Sequence, residues 1–185
     1  MRLFLLGIIV TLLVIPLAGY FYIRSSYMPV AATDAPLPLE KRLASIGLHA
    51  RIKRDAPPRD VSGFTTADLV SGAQVYQNNC AYCHGLPQQP GSFEGLNMFP
   101  QAPQLFTPDG SVSDDPASMT DWKVQNGIRL TGMPAFKTAL TDRQMWQVSA
   151  LLGRPDKLPP EVQDALKPVI PAPPVAAQPG TPKAK

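Results

Sequence analysis

A chain of 185 residues has room for one modest domain and its appendages, and a hydrophobic content of 44% supplies an ordinary core. Its net charge of +3 is unevenly spread: residues 24–60 and the tail beyond 156 are basic, whereas residues 61–156 carry an excess of acids. No concentrated basic face emerges, which excludes a nucleic-acid footprint, and the scattered charges read as a solvated surface.

Leu3 to Ile23 carries no charged residue and is long enough to cross a hydrocarbon core of about 30 Å as a helix. It exceeds the roughly 7–15 apolar residues of a secretory leader, and no A-x-A site closes it. Tyr20, Phe21 and Tyr22 suit an interfacial aromatic belt. Pro16 does not exclude a span. Residues 3–23 are therefore expected to form an uncleaved transmembrane anchor. Arg2 on one side and Arg24 on the other leave its orientation undecided by charge.

Residues 24–63 form a linker. Its first part is Pro- and Ala-rich and extended. Glu40 to Arg54 reads as a short amphipathic helix with Leu43, Ile46 and Ala50 on one face, ended by Pro57 and Pro58.

Residues 64–156 read as the domain proper. Thr65 or Thr66 caps a helix running to about Asn79, with Leu69, Val70, Ala73 and Tyr76 on its apolar side. A loop from Gly85 to about Ser118 is too long for an empty connector, so it should wrap around something. A short helix opening at Ser118 or Thr120 carries Trp122, Val124 and Ile128. Gly132-Met133-Pro134 breaks regular structure. Thr141-x-x-Gln144 is a capping box, and the helix it opens, with Met145, Trp146, Val148, Leu151 and Leu152, should stop at Gly153. No strand pattern competes. Residues 157–185 are rich in proline and are expected to form a disordered tail, with at most one helical turn at Val162–Leu166.

Cys80-Ala81-Tyr82-Cys83-His84 is a C-x-x-C-H motif, the spacing of covalent c-type haem attachment. Two thiols three residues apart on a helical turn can each reach one vinyl group, and the next residue presents an imidazole to the iron. A structural zinc site needs about four protein ligands, and the one other histidine, His49, lies in the linker. A thioredoxin-like pair opens a helix after a strand, whereas this pair closes a helix. A second axial ligand is often methionine. Met1 and Met28 lie outside the domain, Met145 sits on a core face, Met119 at a helix entrance and Met98 close after His84. Met133 lies beyond a helix, between a flexible Gly132 and a rigid Pro134 that suit a side chain turned inward. His84 and Met133 are thus the expected iron ligands.

The segment from about 65 to 155 resembles the class I cytochrome c family, and with its anchor the membrane-tethered bacterial mono-haem type. The resemblance rests on Gly72–Gly85 around the haem motif, Ala102–Leu105, Asn126–Phe136 and Leu140–Leu152. It implies an all-α cytochrome c fold, one covalent haem c, Pro103 accepting the His84 Nδ1 proton, and Gly72 and Tyr76 letting the first helix cross the last against Trp146. It also implies haem attachment on the outer face of the bacterial cytoplasmic membrane, hence a single-pass protein with a periplasmic domain. The expected function is single-electron transfer between redox partners (a dehydrogenase, an oxidase or a soluble cytochrome). That is the work of a carrier rather than an enzyme, free-standing or a subunit of an oxidoreductase complex.

Overall fold

A computed structural model of the protein describes residues 1–56, 58–106, 115–153 and 158–168. Two compact units divide the chain, Met1–Ile46 and Gly47–Lys185.

The first unit is dominated by α1 (Arg2–Arg24), whose side chains are buried nowhere. With a mean hydropathy of 2.5 in its most apolar window, α1 is long and apolar enough to cross a membrane. At its end Arg24 donates to the Tyr20 hydroxyl at 3.3 Å, with its guanidinium 5.7 Å from the Tyr20 ring centre. α2 (Glu40–Asp55) begins in this unit and ends in the next. The Glu40 carboxylate accepts the Leu37 N–H at 2.8 Å, tying the helix start to the chain before it. The apolar face expected on this helix is not the one buried. Leu43, Ile46 and Ala50 are exposed, and Ile52 alone is fully enclosed.

The second unit is helical, and no β-strand occurs among its described residues, where Leu86 and Gln89 form an isolated bridge. It contains α3 (Thr66–Asn79), α4 (Ala81–His84), α5 (Phe93–Asn97), α6 (Ala117–Asn126), α7 (Asp142–Leu152) and α8 (Pro160–Ala165). It also reaches further upstream than the expected start at residue 64. Val61 and Phe64 pack on its core, and the Arg59 guanidinium lies 4.5 Å from the centre of the Trp146 ring.

α3 and α7 both begin with reciprocal capping boxes. Thr65 and Asp68 close the first, Thr141 and Gln144 the second. Asp68 also joins the two helices, accepting from Arg143 Nη2 at 2.7 Å and Gln147 Nε2 at 3.0 Å. The Gln147 and Thr65 hydrogen bonds, then Arg143, hold its carboxyl below the usual carboxylate range. α7 is buried from Met145 through Leu152, as a helix at the centre of a domain should be. α3 packs on one side of it and α6 on another.

The α3–α7 crossing is close because Gly72 has no side chain. A Cβ built there falls 2.7 Å from the Gln147 carbonyl carbon and 3.2 Å from the Val148 nitrogen. Tyr76 stacks edge-on against Phe106 at 5.1 Å, while Trp146 takes Arg59 as its partner. The Gly72 role implied by the resemblance thus falls on the α7 backbone.

The expected disordered tail requires correction over its first part. Leu158, Val162 and Leu166 are buried in the main core, α8 packs on α3, and Gln77 Nε2 donates to the Lys167 carbonyl at 2.7 Å. Apolar residues at 158, 162 and 166 recur at helical spacing, so proline content alone misjudged the segment. The remainder of that tail, from 169 onward, lies outside the described residues. Replacing Gly72 with Ala should force the two helices apart at a backbone contact and cost about 1–3 kcal/mol. Thermal unfolding of the purified protein should show the lowered midpoint.

Candidate functional site

Cys80 is both the last cap of α3 and the first of α4, with φ −117 and ψ −39. Its carbonyl accepts from Cys83 N at 3.1 Å and His84 N at 2.9 Å, so the five-residue motif is wound into one turn. Gly85 then leaves the turn at φ 73, in the left-handed region, and its carbonyl accepts the buried Tyr76 hydroxyl at 2.7 Å. Gly91, in the loop that follows, and Gly95, within α5, lie close behind Cys83. A Cβ at either would come within 3.0 Å of the Cys83 backbone. The sequence reading missed these two approaches, along with α5, which carries Gly95. A Gly at four-residue spacing behind a Cys-His turn was the available signal.

His84 Nδ1 lies 2.7 Å from the Pro103 carbonyl oxygen. A carbonyl only accepts, so Nδ1 carries the proton and Nε2 is left as the lone-pair nitrogen. Burial lowers the imidazole pKa and the Pro103 contact opposes that shift.

The second half of the site is built by the end of α6. Gly127, at φ 65, terminates the helix. Met133 O then accepts from Ile128 N at 3.2 Å, Met133 N donates to Thr131 Oγ1 at 3.1 Å, and Thr131 Oγ1 donates to Ile128 O at 2.7 Å. Phe136 N returns to Val124 O at 2.9 Å. The loop therefore closes on itself between Ile128 and Met133 and returns to α6 at Phe136, and Ile128, expected inside that helix, belongs to the loop instead.

These two constructions face one cavity of about 430 Å³, in the range of about 300–1,000 Å³ typical of small-molecule and cofactor sites. Cys80, Cys83, His84 and Met133 all line it, with apolar walls from Leu105, Val124, Ile128, Phe136 and Leu152. Met98 lines it too, with its sulfur against Gly132. Met145 is enclosed in the core, and Met119 is absent from the lining.

Residues 67–152 match the family model described as cytochrome C oxidase, cbb3-type, subunit III. The chain carries a c-type cytochrome domain. No curated protein and no solved structure matched the chain. Such a domain works by haem-based electron transfer, and the cavity suits a covalent haem c: an apolar space, two thiols on one turn, and an imidazole with one nitrogen pinned and the other available. Burial pushes the Cys80 thiol up to about 12, with Cys83 adding to it. A redox-exchange cysteine needs the opposite, a stabilised thiolate.

One carboxyl of the cytochrome domain stands apart from the cavity. Asp121, on α6, is only 2% exposed. Its Oδ2 accepts from Gln125 at 2.6 Å, while its Oδ1 is buried without a partner. Burial pushes its pKa up to about 6, opposed by Gln125 and Arg59 and aided by Asp142. The folded protein thus holds this proton to higher pH than the unfolded chain does. The associated stability is fully present below about pH 4 and lost as pH rises through about 6. Asp121→Asn should remove that slope and stabilise the protein at pH 7 by on the order of 1 kcal/mol. Denaturant unfolding at pH 4.5 and pH 7, each compared with the parent protein, is the check.

Proposed function

We propose that this domain holds one haem c through thioethers at Cys80 and Cys83, with His84 and Met133 as axial iron ligands, and passes single electrons between protein partners. The supporting observation is that these four side chains line a single apolar cavity although Met133 lies far along the chain from the others. When bound, the haem supplies a one-electron ferric–ferrous couple. The protein's own part is to fix the ligands, exclude water and tune the couple. Pro103 orients His84, and the Thr131 turn orients Met133. Between the two cavity-lining methionines, Met133 is favoured because its backbone N–H and carbonyl are both held, by Thr131 and Ile128, in a loop that returns to α6 at Phe136, whereas Met98 follows a single short helix.

In this reading α1 anchors the protein in the bacterial cytoplasmic membrane with the haem domain on the periplasmic side. The partner is a dehydrogenase, an oxidase or a soluble cytochrome. The matched family's description names an oxidase subunit, which favours an oxidase complex. Co-purification of a copper- or haem-containing oxidase with the detergent-extracted protein, surviving salt washes, is the outcome expected for a subunit. A carrier that elutes alone speaks for free-standing exchange.

Covalent attachment predicts a haem-stained band after boiling in detergent, because thioethers do not depend on the fold. Cys80→Ala with Cys83→Ala should abolish it, and loss of staining in the unaltered protein would refute the assignment. Met133→Ala should keep the covalent haem but lower the reduction potential by more than about 59 mV, a tenfold shift toward the oxidised form. It should also admit carbon monoxide to the reduced iron. Met98→Ala should leave the potential within about 10 mV of the parent value, well under a twofold shift. The reverse pattern would transfer the ligand role to Met98.

A further inference from the structure

Among the described residues lining the cavity, Lys123 is the one lysine or arginine and Asp115 the one acidic residue. They are not scattered along the wall. Lys123 Nζ and the Asp115 carboxylate meet at 2.6 Å. Lys123 sits on α6 one turn after Thr120 and beside Val124, both of which also line the cavity. The lysine side chain is 20% exposed and the aspartate 39%, whereas the Lys167–Asp164 pair stands in water at 74% and 68%. A mostly apolar wall, whose other polar side chains are neutral, has no structural need of a charged pair. Its partial burial costs some desolvation that packing with apolar residues would avoid.

We propose that Lys123 and Asp115 form a charge pair that sets the reduction potential of the group in this cavity, Lys123 favouring the reduced state and Asp115 opposing it. The inference rests on the haem reading above. The reduced site carries one positive charge fewer than the oxidised site, so a cation facing the cavity stabilises the electron and an anion destabilises it. In a low-dielectric wall such charges act at longer range than in water, and they are weakly screened by salt. The neighbouring pair keeps each effect partial. Lys123 without Asp115 would pull the potential up, and Asp115 without Lys123 would push it down. The pair thus allows adjustment in both directions without touching either axial ligand.

The test uses the full chain in detergent and compares Lys123→Met, Asp115→Asn, the double variant and Lys167→Met by potentiometric titration at one pH and ionic strength. Lys167 belongs to an exposed ion pair with Asp164 on α8 and serves as the control. Lys123→Met should shift the oxidised-to-reduced ratio at least threefold toward the oxidised form, about 28 mV at 59 mV per tenfold. Asp115→Asn should shift it by a similar factor the other way. The double variant should fall between them, and Lys167→Met should not move. Opposite signs distinguish charge from disturbance, since a merely structural pair would shift both single variants alike. Shifts of the same sign, or none, in protein that keeps its haem-stained band would overturn the proposal and leave the haem reading standing. A parent protein without that band would overturn both.

Discussion

α3 and α6 do not pack on each other among the described residues. Each packs on α7. Yet α3 leads into the Cys80–His84 turn, and α6 leads into the Met133 loop. The separation of the two walls of the cavity is therefore set by the thickness and position of one helix. That dependence explains why α7 is buried along its length from Met145 to Leu152. It also explains why Gly72 leaves no room between α3 and the Gln147 carbonyl. Close-packed interiors transmit displacement rather than absorb it, so a shift of α7 in its bed moves both walls. Asp68 adds a directional constraint to this non-directional packing. It closes the cap of α3 while binding Arg143 and Gln147 of α7, which fixes the axial register of the two helices.

The two walls are built by different physics. The Cys80–His84 turn is local: one carbonyl gathers the next amide groups, and Gly85 ends the turn. Its surroundings are shaped by backbone packing, with Gly91 and Gly95 against Cys83. The Met133 wall is a loop held by hydrogen bonds from its own threonine and from the helix before it. Leu130 in that loop takes φ 61 and is 90% exposed. A leucine in the left-handed region carries a steric cost, which the Thr131–Ile128 and Met133–Ile128 bonds around it offset.

The features legible in the sequence share one property: they depend on neighbours a few residues away. Thr65-x-x-Asp68 and Thr141-x-x-Gln144 are both helix starts, and Gly153 marks a helix end. The C-x-x-C-H turn and the Gly-Met-Pro break belong to the same class. What was not legible depends on distant surfaces. Ile52 rather than Leu43 or Ile46 is buried, which no helical wheel of that segment decides. Leu158, Val162 and Leu166 join the core because α3 offers them a face, and their proline-rich context concealed it. Arg59 finds the Trp146 ring across most of the domain sequence. Polar partnerships in the core, such as the orphaned oxygen of Asp121, likewise appear only once α6 has been placed against its neighbours.

Placement on α6 also separates two carboxyls that the sequence makes look alike. Asp115 and Asp121 stand six residues apart, one just before the helix and one within it. Asp115 reaches the cavity wall and meets Lys123, so its charge is matched where it stands. Asp121 is nearly enclosed, receives one amide hydrogen bond and has no salt bridge among the described residues, and with Arg59 only partly opposing it, burial raises its pKa. A carboxylate taken out of water either finds a counter-charge or takes up a proton. Both outcomes thus occur around α6, Asp115 just before it at the cavity and paired with Lys123 of the helix, Asp121 within it and away from the cavity. The same helix can thus present charge to the cavity while keeping that charge out of the core behind it.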